Sequence, residues 1–531
     1  MIPARKNIWI WVIASLVLLF SLYARFKIIN GSLPYIGHPD EEAITKPALR
    51  ILKTGDFNPH TFIYPSLPFY LTAAAFVVGY VNSVSHGDIR DTTELGQISY
   101  PFYSPERLVF PAKMLFALLS VIGMALVGIM AYNVFPKKHL IYLPPLLLAL
   151  SSLYLYQSAR YLNVDIIGTF FAVLTIIYII NKLEFDSYLP KAVLPGILCG
   201  LSIASKYNYY LILIPSVLAI IFYSKEKRLK KILLFLLITA ITFIVCTPYS
   251  LLDFNTFLDG IAFNISHYKS GHLGFTETPG WPQFSYYCQA LVDEYGFGFI
   301  ALALLGLFSS LISDTKKGLI LVSFPLLLLI NLSSLTVHFL RNILIIYVFV
   351  CVYCAFGIIL AYKHLNLWLK KIPFLASHKI IQKAVPVLIV TAVILIFLPI
   401  QKIASAYDLK PDSRNLSLKW IEANVLYDSI IFVPTELDLD TSELEKNYKI
   451  KYFEGLKLTD DFSESIPGSY VLVPFYGYDS RDSDGKEISS RLNRSFKNIV
   501  KIVEFGKSPV LVSYSRPVPA GNPKFYIGET R

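Results

Sequence analysis

Apolar residues gathered into blocks of roughly 18 to 25 constrain this chain most, because about 20 helical residues rising 1.5 Å each cross a bilayer. The blocks run at about 8–29, 66–83, 107–134, 139–158, 165–181, 190–205, 207–223, 230–249, 295–313, 318–335, 342–362 and 383–401. Across 531 residues, 54% are hydrophobic and 16% charged, and the mean hydropathy is +0.54. Soluble domains carry about a quarter charged residues, so a soluble reading has to explain away the deficit. The first block follows Arg5 and Lys6 in the manner of a signal peptide. It continues for about 20 residues without a small-residue cleavage site and reads as a retained span.

The net charge of +11 would suit a nucleic-acid binder, but the basic residues sit in short loops between apolar blocks, which is a topological signal. The clusters are Arg5/Lys6, Lys137/Lys138, Lys225 to Lys231, Lys316/Lys317 and Lys363 to Lys371. Keeping them all inside, with the 182–191 loop, requires one early block not to cross. Block 66–83, which opens Tyr64-Pro-Ser-Leu-Pro68 and lacks basic flanks, reads as a juxtamembrane or re-entrant helix.

The expectation is a polytopic α-helical membrane protein with about eleven spans and a cytoplasmic N-terminus. Long outer loops fall at about 30–106 and 250–294. A transmembrane domain over 1–401 precedes a small extracytoplasmic α/β domain over 402–531, where the composition turns polar. There, Asp412 to Asn424 predicts a helix presenting Leu416, Trp420 and Ile421, and β-type runs fall at 429–434, 469–474, 499–504 and 509–514. Cys199, Cys246, Cys351 and Cys354 lie in apolar blocks and read as small hydrophobes, and Cys288 has no obvious soluble partner.

The strongest local signal is Gly37-His38-Pro39-Asp40-Glu41-Glu42, just after the first span. Three carboxylates beside a membrane are costly unless solvated, paired or functional. The bland alternative is an acidic turn with Asp40 as helix N-cap. A second carboxylate on the same side, Asp165 in Ser158-Ala-Arg-Tyr-Leu-Asn-Val-Asp165, reads either as a partner of Arg160 or a cap, or as half of a two-carboxylate site. In such a site one group accepts a proton from a hydroxyl and the other positions a substrate or cation. Lys206, in Ser205-Lys-Tyr-Asn-Tyr-Tyr210, and Arg341, in Val337-His-Phe-Leu-Arg-Asn342, are cations on that face. They suit either a phosphate or snorkelling to lipid headgroups. In the second loop His267, His272 and Glu277 lie among aromatics at no helix-borne metal spacing. They read as substrate-contacting or structural, with a divalent-metal set drawn from them and Asp165 left open.

Several segments in order resemble the GT-C glycosyltransferases, nearest to the protein O-mannosyltransferases and the bacterial lipid A aminoarabinose transferase. They are His38-Pro-Asp-Glu41, Asn58-Pro-His-Thr-Phe-Ile-Tyr-Pro65 with Leu67-Pro-Phe-Tyr70, Ala159 to Asp165, Gly200 to Tyr207, and Gly271 to Tyr287. The resemblance covers about 30–400, and the tail beginning Asp412-Ser-Arg-Asn415, with Trp420, is similar to outer tails of some bacterial and archaeal members. It implies a GT-C fold in the plasma (inner) membrane that transfers a sugar from a polyprenyl-phosphate donor to an unidentified acceptor hydroxyl, with inversion. Membrane lipids, and no nucleic acid, are its other partners.

On that resemblance Asp40 is the general base, Glu41 orients or binds beside it, and Asp165 forms the second acidic site. Lys206, Arg341 and Arg160 hold the donor phosphate, and His38, Tyr64 and His272 contact substrate from the loops. Some relatives bind a divalent metal and others do not. Relatives often follow the Arg341 position with an aromatic and a proline-containing segment, and here Asn342-Ile-Leu-Ile follows. The alternative function is a transporter or lipid flippase, which would put ionisable residues at span centres and show repeats with broken helices. The span centres here are nearly free of charge.

Overall fold

The computed structural model describes residues 8–97, 103, 105–181, 189–272, 275–372, 379–454, 468–477, 499–507, 510–513, 516–518 and 523–530. Arg5, Lys6 and most of the 182–191 loop lie outside them. Among the described residues seven helices are long and apolar enough to cross a membrane, or up to ten if each of three bent pairs is one span. Shorter apolar helices cover Val193–Ser205 and Tyr207–Tyr223. The protein is therefore a polytopic α-helical membrane protein with a small C-terminal sheet region.

Several apolar blocks fold as broken rather than continuous helices. Block 139–158 splits into Lys138–Ala149 and Ser152–Ala159, bent by 75°. Two prolines, Pro144 and Pro145, fall in the opening turns, and Ser151 restarts the helix by accepting the Tyr154 N–H. Block 66–83, expected as a juxtamembrane or re-entrant segment, forms one helix at Leu67–Ser85, 19 residues long, which by length and composition is one of the seven able to cross.

Two compact units emerge. The first comprises Met1–Phe26, Thr54–Ala74 and Met114–Asp408, and the second Lys27–Lys53, Ala75–Lys113 and Leu409–Arg531. In the first, the Leu344–Leu369 helix is apolar on all sides over residues 344–357 and buried there accordingly. It crosses the Phe297–Ser313 helix through glycines, since a Cβ on Gly306 would lie 2.0 Å from the Tyr353 carbonyl and one on Gly357 1.9 Å from that of Leu302. In lipid such small-residue contacts let backbones approach where no hydrophobic force drives association. Gly357→Val is expected to cost about 1–3 kcal/mol or more through overpacking, read as a lower unfolding temperature of the purified protein. An unchanged unfolding temperature would contradict that contact.

The second unit holds a five-stranded sheet of order β2-β1-β3-β8-β5. Its strands are β1 Ile430–Pro434, β2 Lys449–Phe453, β3 Tyr470–Pro474, β5 Ile499–Phe505 and β8 Phe525–Thr530. Strand β1 runs parallel to β2 and β3, and β8 runs antiparallel to β3 and β5. A smaller sheet joins β4 Tyr476–Gly477, β6 Val510–Ser513 and β7 Arg516–Val518. The expected tail helix forms at Ser413–Asn424, with Ile421 buried and Leu416 and Trp420 packed on the same core. Asp412 caps it by accepting the Arg414 N–H at 3.0 Å.

Arg414 is fully buried, ion-paired to Asp412 at 2.9 Å, and stacks 3.8 Å over the Tyr35 ring. The Asp412 N–H donates to the Gly31 carbonyl at 2.8 Å, and Asn415 Nδ2 donates to that of Leu33, also at 2.8 Å. The start of the tail is thus pinned to residues 31–35 by backbone acceptors and one stacked cation.

Candidate functional site

In the first unit three helix ends carry the polar residues that meet. Asn163 precedes the Val164–Asn181 helix and caps it, its Oδ1 accepting the N–H of Asp165 at 3.0 Å and of Ile166 at 3.3 Å. This fixes Asp165 in the first turn with its side chain buried. Lys206 is an extended residue between the Val193–Ser205 helix and the Tyr207–Ile212 turn. Asn342 lies in the Leu340–Ile343 turn that starts the Leu344–Leu369 helix.

The Lys206 ammonium pairs with Asp165 and donates to Asn342 Oδ1 at 3.1 Å. Asn342 Nδ2 in turn donates to the Tyr268 hydroxyl at 3.1 Å. Tyr268 comes from the Phe254–Ser270 helix of the second loop, so that loop reports directly to the Lys206 site. Burial pushes the Tyr268 phenol up to about 12, keeping it a neutral hydroxyl at physiological pH. Burial raises the Tyr64 phenol as well, and the nearby Asp165 carboxylate adds to that.

The second loop is tied down beside this cluster. Glu277 N–H donates to the Thr336 carbonyl at 3.0 Å, and His338 N–H to that of Phe275 at 3.0 Å. Phe339 is the centre of an aromatic group: His267 stacks on it at 6.3 Å, His272 meets it edge-on at 5.4 Å, and the Arg341 guanidinium lies 4.8 Å over it. Burial lowers the His267 pKa, so the ring is neutral near pH 7. Among the described residues no three His, Cys, Asp or Glu side chains converge as a metal-holding group.

In the second unit the Pro39–Thr54 helix starts one residue before Asp40. The cap is therefore His38 rather than Asp40, since the Asp40 N–H donates to His38 Nδ1 at 3.1 Å. Proline supplies the first helical position, where its missing N–H costs nothing. Asp40 keeps its side chain 33% exposed, with Oδ2 3.3 Å from the His38 ring. Glu41 faces the other way and is fully buried: it accepts the Gly37 N–H at 3.1 Å and pairs with Lys113 at 3.0 Å. Glu42 pairs with Lys46 one turn on.

The sequence candidates thus divide by surroundings. Asp165, Lys206 and Tyr64 share one polar cluster, and Arg341, His267 and His272 share the Phe339 aromatics. The cation on Asp165 is Lys206, while Arg160 ends the Ser152–Ala159 helix half-buried. Sequence reasoning missed Lys113 as the partner of Glu41, and it missed Asn342 and Tyr268. Lys113 is a cation placed inside an apolar block, which was the available signal.

A helical membrane protein built this way, with a small C-terminal sheet region, has the GT-C glycosyltransferase fold. Residues 107–251 match the family model of the dolichyl-phosphate-mannose-protein mannosyltransferases. No curated protein matches the chain. The oligosaccharyltransferase of Archaeoglobus fulgidus, solved with a tethered acceptor peptide containing the NVT sequon, aligns at TM-score 0.51 and 13% identity, covering 98% of this chain and 74% of that one. The archaeal oligosaccharyltransferase AglB from the same organism, in complex with an inhibitory peptide and a dolichol-phosphate, aligns at 0.50 and 14%, covering 80% and 59%. ArnT from Cupriavidus metallidurans in the apo state aligns at 0.49 and 10%, covering 98% and 97%.

Proposed function

We propose that this protein is a glycosyltransferase that moves a sugar from a polyprenyl-phosphate donor to an acceptor hydroxyl, with inversion at the anomeric carbon. The observation that carries the reading is the Asp165–Lys206–Asn342–Tyr268 cluster, set among helix ends of a membrane-embedded unit. A lipid-linked donor enters sideways from the bilayer, so its phosphate needs a cation at such a level. AglB, which shares the fold, was solved with a dolichol-phosphate, and this supports a carrier of that chemistry.

The roles follow from the chemistry of each group. Asp40, partly exposed, accepts the proton of the acceptor hydroxyl. The acceptor oxygen bonds to the anomeric carbon as the bond from that carbon to the phosphate oxygen breaks, and a single displacement inverts the centre. Lys206 compensates the negative charge left on the departing polyprenyl phosphate, with Arg341 and Arg160 as further cations. Glu41 acts on Asp40 as a positioning residue, through the fixed first turn. His38, Tyr64 and His272 contact substrate from the loops. Loop charges assign the reaction to the outer face of the plasma membrane, with a cytoplasmic N-terminus and the tail outside.

Incubating the purified protein with labelled polyprenyl-phosphate hexoses and pentoses is expected to consume one donor and release polyprenyl phosphate. The anomeric configuration of the product, read by NMR, should be opposite to that of the donor. No turnover of any donor, together with substrate-dependent transport into vesicles, would replace this reading with the transporter.

A further inference from the structure

The Lys206 stem has little freedom. Its backbone N–H donates to the Ser202 carbonyl at 3.1 Å. The residues after it are anchored by Tyr207 on the Phe62 carbonyl at 3.2 Å and by Tyr209 against Thr169 at 3.0 Å. Gly168 packs so closely that a Cβ there would come 3.3 Å from the Lys206 Cβ. The ammonium is thus delivered to one spot, 5.4 Å over the Tyr209 ring, where its two partners differ in kind. Asn342 offers a neutral carbonyl oxygen, whereas Asp165 offers a full negative charge. The side chains of Lys206 and Asp165 are 9% and 2% exposed, so the pair is hardly screened by water.

A lysine held this way is already neutralised. Any phosphate that approaches must take the ammonium from a carboxylate, or bind beside it against like-charge repulsion. Asn342 imposes no such cost. We propose that Asp165 is a built-in competitor for the phosphate of the lipid carrier, setting the affinity of Lys206 for anions and leaving the ammonium only when a phosphate replaces it. A neutral headgroup makes no such exchange, so its binding does not depend on Asp165. The inference rests on the assignment of Lys206 to the donor phosphate.

The test measures binding without turnover, using the full-length protein with geranylgeranyl phosphate as probe and uncharged geranylgeraniol as control. Asp165→Asn is expected to bind the phosphate about tenfold more tightly than the parent, because the competing charge is gone. Asn342→Asp, which adds a carboxylate on the other side of the ammonium, is expected to bind it about tenfold more weakly. Geranylgeraniol binding should stay the same in both. A merely structural role for Asp165 would weaken binding of both lipids. Equal or weaker phosphate binding by a folded Asp165→Asn protein overturns the proposal, and if that variant does not fold, unchanged binding by Asn342→Asp does so. Unchanged phosphate binding by Lys206→Met would remove the phosphate assignment itself. The absence of sugar transfer with the Asp165→Asn gain intact would leave the inference standing and remove only the enzymatic reading.

Discussion

Asp40→Asn is expected to lower sugar transfer by about 10²- to 10⁴-fold, the contribution of a positioned general base, with expression and unfolding temperature close to those of the parent. The side chain is partly exposed and lies 3.3 Å from the neighbouring His38 ring. The helix cap comes from His38 rather than Asp40, so an amide at position 40 leaves the cap of the first turn in place. The measurement is the initial rate of polyprenyl-phosphate release from the donor found active, alongside donor binding. A loss in rate with donor affinity kept is the signature of a missing base. Transfer within about threefold of the parent would take the role away from Asp40 and return it to an acidic helix start.

The second large effect lies in the same loop and acts on stability. Lys113→Met removes the cation paired with Glu41 and leaves a fully buried carboxylate that accepts the Gly37 N–H. Breaking a buried pair from one side costs about 3–5 kcal/mol, mostly as desolvation of the charge left behind. The expected result is a strongly lowered unfolding temperature or failure to accumulate in the membrane. Glu41→Gln combined with Lys113→Met removes both charges and should recover a large part of the loss, since an uncharged pair has no ionic desolvation cost. If the double variant is no better than the single one, the pair does not hold the loop and Glu41 needs another function.

The tail helix was legible from its side-chain period, and the four β-type runs as short apolar stretches within a polar sequence. Strand β2, Lys449–Phe453, was not, since two lysines in five residues keep it from forming an apolar run and it lies at the sheet edge, open to solvent on most of its length. Strand β8 carries Gly528 and Glu529 inside a six-residue run and gains its identity from pairing with β3 and β5 on either side. The breaks in the apolar blocks were also hidden. Hydropathy measures whether a segment tolerates lipid, and it is blind to a cap such as Ser151 that restarts a helix at a new angle.

By itself the sequence determined that the chain is a membrane-embedded helical protein. Backbone polar groups in lipid can be satisfied only within a helix or a closed barrel, and apolar length is written locally. It also singled out Asp40, Asp165 and Lys206, because charge beside a membrane is costly and so stands out. Only the tertiary structure decided the partners: Lys113 for Glu41 across 72 positions, Lys206 for Asp165 across 41, and Asn342 for Lys206 across 136. No periodicity carries that information. A buried charge takes whichever opposite charge or dipole the packing of distant helices brings within hydrogen-bond reach, and that packing is a property of the whole fold.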